Sequence, residues 1–153
     1  METSLLVSML GFVIAIISLA VSFWQYKMHK KQLRTELLMN YSVRYCTNED
    51  ISSVVKYLEQ EEGLKLHKKV EIPDDHEVEM FMRFFEELEL LIVAKAIDAK
   101  IVFYMFYFYL HTFEKHKDMW KNVGYEDNEW KVFREFVDRM KKLKEDRNNY
   151  KID

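Results

Sequence analysis

Twenty consecutive residues, Leu5 to Trp24 ("LLVSMLGFVIAIISLAVSFW"), carry no charged side chain. A helix rises about 1.5 Å per residue, so such a run reaches roughly 30 Å, the thickness of a bilayer's hydrocarbon core. A cleaved signal peptide opens with basic residues and closes on a small-x-small cleavage site. This chain opens Met1-Glu2-Thr3-Ser4, and no clean cleavage site follows the apolar run. Its basic residues come afterwards, at Lys27, Lys30, Lys31 and Arg34, with His29 among them. The positive-inside rule therefore predicts an outer amino terminus and a cytoplasmic chain from Gln25 onward, with Trp24 and Tyr26 as interfacial aromatics. Residues 1–25 read as a single-pass transmembrane anchor.

Small residues inside the run recur in step. Ser4, Ser8, Gly11, Ala15, Ser18 and Ser22 are spaced 4, 3, 4, 3 and 4, a heptad rhythm along one helix face. Small side chains let two helix backbones approach, and a 3.5-residue period keeps the contact along a left-handed crossing. The expected partner of this face is a second copy of the chain or another protein's span. Anchors also tolerate Ser, Gly and Ala without pairing, so both readings stay open.

Gly (3) and Pro (1) are scarce, which disfavours hairpins and points to long helices. The helix is expected to run on through a juxtamembrane stretch, residues 26–46, with Leu33, Leu37, Tyr41 and Val43 to Cys46 facing inward. Lys27, Lys30, Lys31 and Arg34 would meet anionic lipid headgroups at about 1 kcal/mol each. The net charge is -3, and no aromatic-flanked basic groove is present, so no nucleic-acid partner is expected.

Residues 47–146 read as a helical cytoplasmic domain. Thr47 or Asn48 caps a short helix that Glu49 and Asp50 favour and Gly63 ends. Asp74 and Glu77 form a capping box for a helix with Val78, Phe81, Phe85, Leu88 and Leu91 or Ile92 on one face. Asp98 caps the next, and a last helix starting near Asp127 or Asn128 buries Trp130, Phe133, Phe136 or Val137, and Met140. Residues 147–153 form a charged tail. The fold class is thus all-α: an amino-terminal transmembrane helix continuing into a bundle of about four to five helices.

The stretch "IVFYMFYFYLHTF", Ile101 to Phe113, tests that reading. Its uninterrupted apolar core ends at Leu110, short of the roughly 20 residues that a span needs. Apolar on all sides, it is expected to be a central helix surrounded by others. A strand fits aromatic residues but has no second strand to pair with, and a membrane-dipping segment is the other alternative. The expected core is Phe81, Phe85, Leu88, Phe103, Phe106, Phe108, Trp120, Trp130 and Phe133.

Catalytic chemistry finds little purchase. Glu86, Glu87 and Glu89 would approach His111 and His116 if the two long helices pack antiparallel, but no Glu-x-x-His pair of a di-metal bundle is present. His67 and His76 flank a loop without a further ligand at useful spacing. Cys46, the single cysteine, forms no internal disulfide and reads as a small buried hydrophobe. Ser42, Ser52 and Ser53 lack nucleophile-elbow glycines, and no phosphate-binding glycine loop exists. No cofactor, metal or enzymatic activity is expected.

The segment "FMRFFEELELLIVAKAIDAKIVFYMFYFYLHTFEKHKDMW" carries Phe84-Phe85-Glu86-Glu87-Leu88 on one helix, a turn at Ile97-Asp98, an aromatic helix and a closing Trp120. This pattern resembles the small bacterial proteins grouped as domain of unknown function 4760, over about Asn40 to Met140. Where such proteins often carry an arginine shortly beyond the closing aromatic, Lys121-Asn122 follows here. The resemblance implies one amino-terminal span, a helical cytoplasmic domain and a bacterial or prophage origin, hence the inner membrane. It brings no activity and no site residues. The expected function is an anchored helical interaction module that self-associates through its span and binds a cytoplasmic protein. Trp120, Tyr125 and Trp130 are its candidate partner surface, or else core anchors at helix ends. The alternative is a membrane-perturbing effector, as in phage exclusion or defence, whose domain senses a trigger.

Overall fold

The computed structural model describes residues 2–63, 70–126 and 128–149, and the side chains of these except 2–8, 10, 148 and 149. Among them are six α-helices and one short 3-10 turn, and no strand. The chain is all-α, a long apolar amino-terminal helix followed by a helical bundle. It divides into two compact units, Met1–Met39 and Asn40–Asp153.

The first unit is helix. Helix α1 spans Glu2–Thr47 and is the one described helix long and apolar enough to cross a membrane. No proline interrupts it, and its serines turn their hydroxyls back onto its own backbone. Ser18 Oγ donates to the Ile14 carbonyl at 2.9 Å and Ser22 Oγ to the Ser18 carbonyl at 2.8 Å. Such back-bonds satisfy a hydroxyl where a bilayer offers no water.

The second unit holds the end of α1 and helices α2 (Glu49–Glu61), α3 (Asp75–Val93), α4 (Ala99–Lys115), α5 (Lys117–Trp120) and α6 (Lys131–Asn149). The boundaries follow local chemistry. Asn48 Oδ1 accepts the Ile51 N–H and starts α2, and Gly63 leaves it at φ +82°. Asp74 and Glu77 form the complete capping box of α3, and Asp98 accepts the Lys100 N–H to start α4. The last helix enters through the 3-10 turn Asn128–Trp130; Asp127 lies outside the described residues.

The core forms around α3, which packs against α2, α5 and α6. Phe81, Met82, Phe84, Phe85 and Leu88 are fully buried there, against Leu110 and Phe113 of α4 and Phe133, Phe136 and Met140 of α6. Most rings meet edge-on or tilted, as their quadrupoles prefer: Phe81 and Phe85 lie 4.9 Å apart, and Phe81 and Phe113 5.0 Å apart, while Phe85 and Phe136 stack at 5.3 Å.

Several expectations are corrected here. The aromatic stretch is a helix, but it is not the surrounded centre. Val102, Phe103, Phe106, Leu110 and Phe113 are buried, whereas Ile101, Tyr104, Met105 and Phe108 are 45%, 70%, 37% and 49% exposed. Neighbours cover one side of α4 only, so Phe108 leaves the expected core. Trp120 is half-buried at the margin. Along α1, Leu33, Val43 and Cys46 are exposed, so Cys46 is not a buried hydrophobe; Leu37, Tyr41 and Arg44 are half-buried and Tyr45 is buried.

Candidate functional site

The last two turns of α1 meet the bundle through three side chains. Arg44 spans both carboxylate oxygens of Glu87 on α3, one of them at 3.1 Å, and the Tyr41 hydroxyl donates to the same carboxylate at 3.2 Å. Half-exposed, this fork adds orientation more than stability, since exposed pairs are worth about 0–1 kcal/mol. Burial and the neighbouring Glu87 carboxylate raise the Tyr41 pKa, so the hydroxyl keeps the proton it donates.

Tyr45 does the anchoring. It is 7% exposed and enclosed by Phe84, Phe85, Phe106 and Tyr109, with ring centroids 4.9 Å apart at Phe106 and 5.3 Å apart at Phe84. Its hydroxyl is buried without a hydrogen-bond partner, and desolvation raises its pKa far above the ordinary phenol range. Beside it the Tyr109 hydroxyl donates to Glu59 of α2 at 2.9 Å; burial, with that bond, pushes its pKa up to about 12. A fixed aromatic socket thus grips the end of the long helix.

The exposed side of α4 is the second feature, and sequence reading missed it. Ile101, Tyr104, Met105 and Phe108 follow the i, i+3, i+4, i+7 spacing of one helix face. The spacing was present in the sequence, but the buried side is equally apolar and hid it. At its margin Arg147 of α6 lies over the Tyr104 ring at 5.5 Å and Lys144 over Tyr107 at 5.3 Å. Tyr107 in turn stacks on His111, 5.5 Å away. A shallow groove of about 490 Å³ opens between Lys100, Phe103 and Tyr104 of α4 and Leu143, Asp146 and Arg147 of α6.

The expected aromatic surface at the α5–α6 connection takes its other form. Trp130 is 2% exposed, its Nε1–H donates to the Val123 carbonyl at 2.9 Å, and Arg83 lies 5.5 Å from its ring. It is a core anchor and no surface for a partner. Trp120 Nε1–H donates to the Phe113 carbonyl at 3.3 Å, and its ring lies 4.3 Å from half-buried Tyr125. Trp130 thus holds a carbonyl of the connection, and Trp120 holds one near the end of α4.

The glutamates of α3 do not converge on His111 and His116. A helix turns about 100° per residue, so the neighbouring carboxylates point to different sides. Glu86 accepts the Phe133 N–H at 3.2 Å, Glu87 takes Arg44, and Glu89, 1% exposed, takes Arg139 through its Nε and Nη2. Burial raises the Glu86 pKa. His76 lies 4.0 Å from Asp50, and His67 is outside the described residues. Among the described residues no three His, Cys, Asp or Glu side chains are grouped to hold a metal ion.

On α1 the expected packing face is exposed at Gly11, Ala15, Ser18 and Ser22; the side chains of Ser4 and Ser8 lie outside those described. A Cβ placed on Gly11 meets nothing within 4 Å. Lys27, Lys30, Lys31 and Arg34 are all exposed, with the Lys27 ammonium 4.8 Å from the Phe23 ring. No protein family, curated protein or solved structure matches the chain.

Proposed function

We propose that the protein is a membrane-anchored helical interaction module, lying at the cytoplasmic face of a bacterial inner membrane and self-associating through its span. The observation that carries this reading is the uncharged run Leu5 to Trp24 on a helix long and apolar enough to cross a membrane, followed at once by Lys27, Lys30, Lys31 and Arg34. Gly11, Ala15, Ser18 and Ser22 form the packing face of the span, together with Ser4 and Ser8. Lys27, Lys30, Lys31 and Arg34 sit in the headgroup layer and keep the domain inside. The exposed face of α4, with half-buried Trp120 and Tyr125 as a lesser surface, receives the cytoplasmic partner. No catalytic residue, cofactor or nucleic acid enters this reading.

The test uses the full chain expressed in a bacterial membrane. Carbonate washing should leave it in the membrane, and a carboxyl-terminal reporter should be active only in the cytoplasm. Replacing Gly11 and Ala15 with Leu should abolish self-association with the domain intact, because a Cβ at Gly11 touches nothing in its own chain. Release by carbonate, or an external carboxyl terminus, sinks the proposal. Collapse of the membrane potential on expression, abolished by the same two substitutions, would move the function to the membrane-perturbing effector.

A further inference from the structure

The end of α1 has two faces, and the bundle uses one. Tyr41 and Tyr45 dock it, while Met39 and Val43 on the opposite side are 63% and 58% exposed and Cys46 is exposed with them. Apolar residues at 39, 43 and 46 keep the 4, 3 spacing of a heptad seam. Continued backward, the same phase passes through Glu36, Gln32, His29 and Gln25 and arrives in register at Ser22 and Ser18. The span's small-residue face and the apolar patch at 39, 43 and 46 thus share one helical phase, with four polar positions between them.

Charge follows the same phase. Lys27, Lys30, Lys31 and Arg34 all fall on the three outward positions of the heptad. The positions flanking the seam, Tyr26, Met28, Leu33, Thr35, Asn40 and Ser42, are uncharged. A helix that simply stood in water would have no reason to keep its charges to one side, whereas one with a helical neighbour must clear them from the contact. Glu36 is the single charge on the seam and works against it.

We infer that a second copy of this chain docks in parallel along Met39, Val43 and Cys46, extending the span's contact through the juxtamembrane helix. The occupant must keep step with α1 from the membrane to residue 46 and must enter from the bilayer in the same direction. A second copy meets both conditions by construction, with each seam residue facing its own counterpart across a two-fold axis. The inference rests on the anchored reading above and adds the cytoplasmic half of the interface.

Cysteine cross-linking of the full chain in its own membranes tests this. A disulfide needs Cα atoms roughly 4.4–6.8 Å apart, which seam positions of a parallel pair reach and outward positions do not. With copper phenanthroline, native Cys46 should give a covalent dimer. In a Cys46→Ser background, Gln32→Cys, Met39→Cys and Val43→Cys should do so at least about tenfold faster than Lys30→Cys and Lys31→Cys, all of them exposed. Val43→Lys, at a position open to solvent in the single chain, should abolish the Cys46 dimer while the thermal transition of the domain stays in place. Equal rates on both faces, or no dimer at the seam, overturns the inference. Carbonate washing of the same membranes separates the two failures: a retained but uncross-linked chain defeats the seam alone, and an extracted chain defeats the anchor as well.

Discussion

Helices α3 and α4 are neighbours in sequence, similar in length and both rich in phenylalanine, yet they are enclosed to different degrees. The sequence of α4 is the more apolar, and α3 carries six acidic side chains from Asp75 to Glu89. Nevertheless α3 is the more enclosed, burying even Glu89 and exposing Leu90 and Val93 only at its end, while α4 leaves Ile101, Tyr104, Met105 and Phe108 to solvent along its length. The centre of a bundle goes to the helix with neighbours on the most sides. Hydrophobic density alone does not decide it, because a surplus of apolar residues can equally mark a face kept for another molecule.

The sharpest way to break the comparison is to truncate one ring on each helix. Phe85→Ala should cost about 3–5 kcal/mol of unfolding free energy, because its ring is closed in by Phe81, Phe84, Phe106 and Phe136. Phe108→Ala should stay within about 0.5 kcal/mol. Equal losses in urea titrations would mean that both helices are enclosed. Next comes Arg139→Ala, which strands the Glu89 carboxylate inside; about 3 kcal/mol is expected, at the low end for a broken pair because Arg139 is 40% exposed. Glu89→Leu should be far milder, and a similar loss from both would deny that the burial of charge is what matters.

Two smaller effects run the other way. Tyr45→Phe removes a buried hydroxyl without a partner and keeps the ring, so stability should rise by about 1 kcal/mol, read as a higher Tm. A loss instead would give that hydroxyl a role in holding α1. Lys95, which leaves α3 at φ 55°, is a backbone position that glycine adopts with less strain. Lys95→Gly should gain about 0.5 kcal/mol, and a loss would show that the Lys95 side chain contributes more than its backbone costs.

Local chemistry explains what was legible in the sequence. Asn48, the Asp74 and Glu77 box, and Asp98 each act within a few residues of themselves, so their helix starts could be read directly. The faces of α3 and α6 were legible because polar residues separate their apolar ones. On α4 that contrast is missing, so the helix was readable and its exposed side was not. The end of α1 failed for a related reason: Val43, Tyr45 and Cys46 are all apolar enough to bury, and only the position of the Phe84 and Phe106 rings selects Tyr45. Trp130 could serve core or surface until its indole N–H was seen to reach the Val123 carbonyl.

The three tryptophans give the molecule an optical vocabulary. Trp24 is 65% exposed on the apolar helix, Trp120 is half-buried beside Tyr125, and Trp130 is sealed in the core beneath Arg83. Brominated acyl chains quench an indole at the bilayer surface, acrylamide reaches one at a domain margin, and neither reaches one that is enclosed. With the anchoring proposed above, emission from the unmodified chain would separate an event at the membrane from one in the bundle, without a dye and without a tag.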